Sequence, residues 1–246
     1  ILAQLGGGLA SRGIHAVSAG LLPTPGLIHL ARSGAFACGV MVSASHNPAT
    51  DNGIKIVGPD GSKLDEATED SIEEAWKEPA DAAGADVPPE DPALAAAYTD
   101  YLLETAGAGL DLSGMSVALD CAHGAASSVG PQVLTTLGAK VEVLNASPDG
   151  TNINRDCGSL HPEIAASAGA DLGIALDGDA DRSLFGDDQG RVVNGDGIIY
   201  ATALDMLDTD SLRDGRVVLT VMANLALSKE LTAAGAEVET TPVGDK

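Results

Sequence analysis

The chain has 246 residues, of which 44% are hydrophobic, enough to bury one large core or two modest ones, and no signal peptide or bilayer-length apolar run is present. Acidic residues number 36 against 13 basic ones, and the resulting formal charge of -23 excludes electrostatic attraction to nucleic acid or anionic lipid. Cys38, Cys121 and Cys157 are too few and too scattered for a disulfide framework, so a reducing cytoplasm is the expected compartment.

Aromatics make up only 2%, so the core must be aliphatic, and 30 glycines with 12 prolines imply tight turns between short elements. The chain opens on ILAQLGGGLASRG, which reads as the middle of a helix, and stops after the strand-like AEVETTPVG; both ends look cut. Residues 14 to 18 (IHAVS) and 38 to 43 (CGVMVS) are strand-like. Between them a helix is expected over 24 to 33, with Thr24 as its cap and Pro25 in its first turn. Ile72, Ala75 and Trp76 predict an amphipathic helix over 65 to 77. Leu94, Ala97, Tyr98, Tyr101 and Leu102 predict another over 93 to 104. The acid- and proline-rich stretch from 78 to 92 reads as a loop.

A second block follows, with strands over 116 to 122, 141 to 145 and 171 to 176 and helices over 125 to 137 and 162 to 169. This βαβαβ order favours a parallel sheet, whose carboxyl ends are where ligands collect. Residues 183 to 193 look like a hairpin around Asp188-Gln189-Gly190. A third block begins with a helix after Asn194-Gly195-Asp196 and continues as strand 216 to 221, helix 224 to 234 and strand 236 to 240. The fold class is α/β.

The last strand of the second block runs into Asp177-Gly178-Asp179-Ala180-Asp181-Arg182. Three carboxylates on alternate residues with small spacers suit a hard divalent cation of the magnesium type, because the backbone can curl until the side chains converge; a merely solvated turn is the plainer alternative. A calcium hand would take Asp177, Asp179 and Asp181 first and Asp188 twelfth. It requires glycine at its sixth position, where Arg182 stands, and a strand rather than a helix precedes the loop.

The second constellation is Ser43-Ala44-Ser45-His46-Asn47-Pro48 followed by Asp51-Asn52-Gly53-Ile54-Lys55. Ser45 stands where a strand becomes a tight loop, a placement that exposes a nucleophile and that equally suits an ordinary turn residue. His46 is open between a base and a loop hydrogen-bonding residue, and Lys55 between a functional cation and a solvated strand residue. Cys157 with His161, and Cys121 with His123, make weak sites and read as structural.

ASHNP at 44 to 48, DNGIK at 51 to 55 and DGDADR at 177 to 182 together resemble the α-D-phosphohexomutase superfamily. LPTP at 22 to 25, DGSKL at 60 to 64, NGD at 194 to 196 and VGDK at 243 to 246 extend the resemblance over nearly the whole chain. PDGTNINRDCGSLHPE at 148 to 163 is similar to the phosphoglucosamine mutase branch.

The resemblance implies consecutive α/β/α domains with mixed, mainly parallel sheets, divided here as 1–108, 109–197 and 198–246. It implies a phosphoserine at Ser45, with His46, Lys55 and Arg182 as further catalytic residues. One Mg2+ would be held by Asp177, Asp179, Asp181 and the Ser45 phosphate. The substrate would be glucosamine phosphate, turned over through a 1,6-bisphosphate toward UDP-N-acetylglucosamine, with neither nucleic acid nor membrane as partner. Glucose and mannose phosphates, or a metal-binding phosphoprotein without turnover, stay open as alternatives.

Three carboxylates, a dication and a phosphoserine sum to about -3, a charge that asks for nearby cations, and Arg182 and Lys55 are the candidates. The chain departs from the family pattern in lacking the opening strand, most of the third domain and all of the fourth. The resemblance therefore implies little turnover from residues 1 to 246 alone. Leu160 stands where threonine is usual, and Ala180 stands where glycine is commonest, a change tolerated if the backbone there avoids positive φ.

Overall fold

The computed structural model describes residues 1–76, 84 and 86–244, which divide into two compact units, Ile1–Arg191 and Val192–Lys246. Among the described residues no helix is long and apolar enough to cross a membrane.

The first unit begins with α1 (Leu2–Ser11) and α2 (Thr24–Arg32). Strand β1 (Gly39–Ser43) then pairs antiparallel with β2 (Gly53–Val57), with Ser43 opposite Gly53 and Met41 opposite Lys55. This register suspends residues 44 to 52 as a loop off the sheet end and places Lys55 on the strand returning from it. Helix α4 (Pro92–Glu104) starts as its sequence dictates, with the Asp91 side chain accepting from the Ala93 amide and proline in the first turn. Leu22, Leu30 of α2, Tyr98 of α4 and Val129 of α5 (Val129–Thr136) form an apolar cluster. It buries the inward stripe of α4, while Tyr101 on the stripe's margin stacks on His29 at 4.0 Å.

The βαβαβ expectation holds. Strand β3 (Ser116–Asp120) lies between β4 (Lys140–Leu144) and β5 (Leu172–Leu176), parallel to both. Strand β6 (Ser183–Gly186) runs antiparallel to β5, making the sheet mixed. Val117, Ala118, Leu119 and Asp120 are all buried, as a central strand covered on both faces requires. Helix α6 (Glu163–Ala166) packs against β5, and the β6 turn closes with the Gly190 amide donating to Asp187 O. Asp120 and Asp177 therefore stand at the carboxyl ends of neighbouring parallel strands.

The second unit opens with the two-residue β7 (Val192–Val193) and contains α7 (Gly195–Asp208), β8 (Arg216–Thr220), α8 (Leu225–Ala233) and β9 (Glu237–Thr241), with β8 and β9 parallel. The Asn194 and Asn224 side chains cap the two helices. Its core joins Ala203, Val217, Leu219, Leu227, Leu231 and Ala236.

Four expectations need correction. Residues 14 to 18 form no strand: only Ser18 makes a bridge, to Glu90, because the facing segment carries Pro88 and Pro89, which have no amide hydrogen for a ladder. Helix α3 (Glu66–Trp76) buries none of its residues, and Trp76 is 75% exposed. One turn before Ile72 the same face carries Thr68 and Glu69, so the apolar stripe is too short to anchor the helix. Helix α5 begins at Val129 rather than 125, since residues 124 to 128 are turns held by bonds such as Ser127 N to Gly124 O. Thr24 is not the cap of α2: Pro23 occupies that position and the Thr24 hydroxyl is engaged elsewhere. The loop expected over 78 to 92 lies partly outside the described residues.

Candidate active site

Strand β5 ends at Leu176, and the aspartate loop turns back tightly, with the Asp177 amide donating to Arg182 O and the Ala180 amide to Asp177 O. Gly178 lies against the Ser45 loop so closely that a Cβ there would overlap Ser45 O and Ile153 Cδ1. On its other side Gly178 O accepts from the Ala125 amide at 2.8 Å. Ala180 adopts φ 51°, so the condition under which alanine is tolerated is not met and the loop carries left-handed strain at that position.

The loop converges as its spacing predicts. Carboxylate oxygens of Asp177, Asp179 and Asp181 lie within 4.8 Å of one another; Asp177 and Asp179 are fully buried and Asp181 is partly exposed. Asp179 Oδ2 accepts from Lys55 Nζ at 2.5 Å and from Thr24 Oγ1 at 2.7 Å. Its other oxygen, Oδ1, is buried without a partner among the described residues. A desolvated carboxylate oxygen left unbonded is costly, and an all-oxygen donor set with such an atom fits a hard divalent cation. The loop is a divalent metal site.

The Ser45 loop meets this site from the other side. Ser45 adopts φ 53°, and its amide donates to Ser43 Oγ at 2.9 Å. Its hydroxyl lies 3.5 Å from Asp177 Oδ2 and 3.4 Å from Arg182 Nη2. Arg182 also donates to Asp177 Oδ2 from Nη2 at 2.9 Å and to Asp181 Oδ1 from Nε at 3.3 Å. Lys55 Nζ spans Asp179 and, at 3.4 Å, Asp181. Ser45, Lys55, Arg182 and the three aspartates are thus assembled across more than a hundred residues of chain. His46 is exposed and makes no hydrogen bond with them.

The surroundings push the carboxylates apart. Burial drives Asp177 above the ordinary carboxylate range; the Arg182 amide pulls against this, and repulsion from Asp179 and Asp181 adds to it. Burial pushes Asp179 in the same direction, but the Lys55 and Thr24 hydrogen bonds outweigh it and hold that carboxyl below the usual range. Lys55 is raised despite burial, because Asp179 and then Asp181 favour the ammonium form. Its ammonium form is thereby favoured over the neutral amine.

Cys121 and Cys157, read as structural in the sequence, are both buried. Burial, with Asp120 nearby, pushes the Cys121 thiol up to about 12 and Cys157 up to about 11, so neither supplies a thiolate near neutral pH. His161 pairs with Glu163, and His123 Nδ1 accepts from the Ser147 amide.

Two contributors were not visible as such in the sequence. Thr24 has the signature of a cap, yet its hydroxyl holds Asp179 and its amide donates to Asp179 O at 2.9 Å. Asn154, in a run of loop-forming residues, reaches the serine loop with its side-chain amide, which donates to Ser45 O and Asn47 O.

Successive parts of the chain match the family descriptions "Phosphoglucomutase/phosphomannomutase, alpha/beta/alpha domain I" over residues 1–82, domain II over 96–190 and domain III over 194–246. The chain is 46% identical to a phosphoglucosamine mutase of Cereibacter sphaeroides, covering 97% of this chain and 55% of that protein. It is 45% identical to a phosphoglucosamine mutase of Mycobacterium marinum with the same coverage. It therefore spans about 55% of the length of these curated relatives. Among solved structures, a putative phosphomannomutase from Thermus thermophilus superposes with a TM-score of 0.77 at 26% identity, over 98% of this chain and 57% of that one.

Proposed function

Because the chain belongs to the phosphoglucomutase/phosphomannomutase family, we propose that it supplies the phosphoserine and metal machinery of a phosphoglucosamine mutase. The reaction interconverts glucosamine 6-phosphate and glucosamine 1-phosphate through a phosphoserine at Ser45 and a 1,6-bisphosphate. The observation that carries this reading is the Ser45 hydroxyl set between Arg182 and Asp177.

In the forward direction the bond between phosphorus and Ser45 Oγ breaks as a bond forms to the sugar 1-hydroxyl. The hydroxyl proton is returned to the serine oxygen, so atoms and charge balance. After the bisphosphate turns over, Ser45 Oγ takes the 6-phosphoryl group and gives up its proton to the new 6-hydroxyl. Such transfers are mostly positioning and charge stabilisation.

Arg182 forks onto the phosphoryl oxygens while its other contacts keep it on the aspartate loop. Lys55, held charged by Asp179, offsets negative charge on the transferring group and assists proton transfer there. His46, on the exposed rim of the loop, is assigned to substrate contact. Asp177, Asp179 and Asp181 would hold Mg2+ together with a Ser45 phosphate oxygen. Bound there, the ion supplies Lewis-acid stabilisation of the phosphoryl charge.

Residues 1–108 contribute the serine and Lys55, 109–197 the aspartate loop, and 198 onward begins a third domain. The amino sugar is favoured by the 148–163 segment and by the phosphoglucosamine mutase relatives. A strongly acidic chain with this site is a cytoplasmic sugar-phosphate enzyme rather than a binder of nucleic acid or membrane. The test is a coupled assay of the protein carrying this chain on glucosamine, glucose and mannose 6-phosphates, with Ser45→Ala beside it. Highest kcat/KM on glucosamine 6-phosphate, abolished in the variant, is expected. Preference for glucose or mannose phosphate moves the assignment to those sugars, and full activity in Ser45→Ala overturns the mechanism.

A further inference from the structure

The segment from 148 to 163 marks a branch of the family in the sequence, yet the proposed chemistry uses none of its side chains. In the structure one of them reaches the nucleophile's own backbone. Asn154 is 9% exposed, and its Nδ2 donates to Ser45 O at 2.7 Å and to Asn47 O at 2.9 Å. Both hydrogens of one buried amide are thus spent on carbonyls of the catalytic turn. Ser45 itself sits at φ 53°, a conformation an L-residue holds only when its surroundings impose it.

The donor is fixed from behind. Asn154, at φ 57°, donates its own amide to Ala122 O at 2.9 Å. Ala122 is tied in turn to Asp120 Oδ1 at 2.9 Å. The other Asp120 oxygen collects the Asn145 side chain at 2.9 Å and the Gly158 amide at 3.0 Å. Asp120 is fully buried at the end of β3, an interior strand of the sheet, so the brace starts from the buried core of the sheet. It runs through Ala122 and Asn154 to the peptide of Ser45. Gly178 closes the other side of that peptide, with no room for a side chain.

We propose that Asn154 is a positioning residue: its amide holds the Ser45 peptide in the left-handed state that keeps Oγ facing Arg182 and Asp177. The proposal rests on the reading of Ser45 as the phosphoryl carrier. It also gives the asparagine-rich segment a task in catalytic geometry, separate from the choice of sugar.

The test compares the unaltered chain with Asn154→Asp, which keeps the shape but loses both donors, and Asn154→Gly, which deletes the side chain where glycine favours the backbone angle. Three quantities are read on the unphosphorylated chain: amide hydrogen exchange over residues 44 to 47, Mn2+ affinity, and the rate at which glucose 1,6-bisphosphate phosphorylates Ser45, followed by intact mass. Both variants should speed exchange in 44 to 47 by about tenfold or more and leave β3 unchanged. They should slow phosphorylation about 10- to 100-fold, as a displaced nucleophile would, with Mn2+ affinity within about twofold. Unchanged exchange, or faster exchange with an unchanged phosphorylation rate, overturns the proposal. If Asn154→Asp does not fold, Asn154→Gly decides. If the unaltered chain takes up no phosphate on Ser45, the functional reading fails, while the exchange data still decide whether Asn154 holds the loop.

Discussion

Lys55 Nζ lies 2.5 Å from Asp179 Oδ2, while the second oxygen of the same buried carboxylate has no partner among the described residues. The ion pair and the Thr24 hydroxyl saturate one side of Asp179 and leave the other for a cation. Lys55 comes from β2 and Thr24 from α2, so the aspartate loop is completed by elements remote in sequence.

Thr24→Val removes the hydroxyl that orients Asp179 while keeping side-chain volume. Groups that orient a metal ligand are worth about 10- to 100-fold in affinity. Isothermal titration with Mg2+ or Mn2+ should therefore show about tenfold weaker binding in Thr24→Val and near-normal binding in Thr24→Ser. Equal affinity in all three would show that Lys55 alone orients the carboxylate.

Ala180→Gly should stabilise the fold. The left-handed backbone at φ 51° costs an alanine roughly 1 to 2 kcal/mol, part of which is offset by the greater freedom of glycine in the unfolded chain. A net gain of about 0.5 to 1 kcal/mol is expected in urea unfolding, and a loss would mean that the loop relaxes around alanine.

Gly178→Ala should do the opposite. The added methyl would overlap Ser45 O and Ile153, and the backbone carbonyl cannot yield cheaply. A loss of about 1 to 3 kcal/mol is expected, together with slower phosphorylation of Ser45. Wild-type stability and rate would show that the two loops are less tightly apposed.

The features that resisted sequence reading share a physical cause. Asp177, Asp179 and Asp181 were legible because alternate carboxylates with small spacers have one main chemical use and all lie in one run. The βαβαβ order was legible because each element carries its own period. Thr24 was misread because a threonine before Pro25 is also good capping chemistry, and only the tertiary fold shows its hydroxyl on Asp179. Asn154 stood among ordinary loop residues, and its partners are 107 and 109 positions away. Helix α3 has the expected period but ends its apolar stripe after one turn, so period alone did not foretell burial.

The thiols give a pH test. Because Cys121 and Cys157 titrate near 12 and 11, they stay protonated as pH rises from 7 to 9, whereas Cys38 is exposed. Iodoacetamide should label Cys38 alone in the folded chain across that range and all three cysteines after denaturation. Rapid labelling of Cys157 in the folded state would reopen it as a nucleophile.

The most direct test of the central claim is to incubate the chain with a hexose 1,6-bisphosphate and Mg2+ and to locate the phosphate by peptide mass spectrometry. One phosphate on Ser45, absent in Ser45→Ala and strongly reduced by chelation or by Asp179→Asn, is the predicted result. Phosphate on another residue, or equal uptake by Ser45→Ala, would contradict the account.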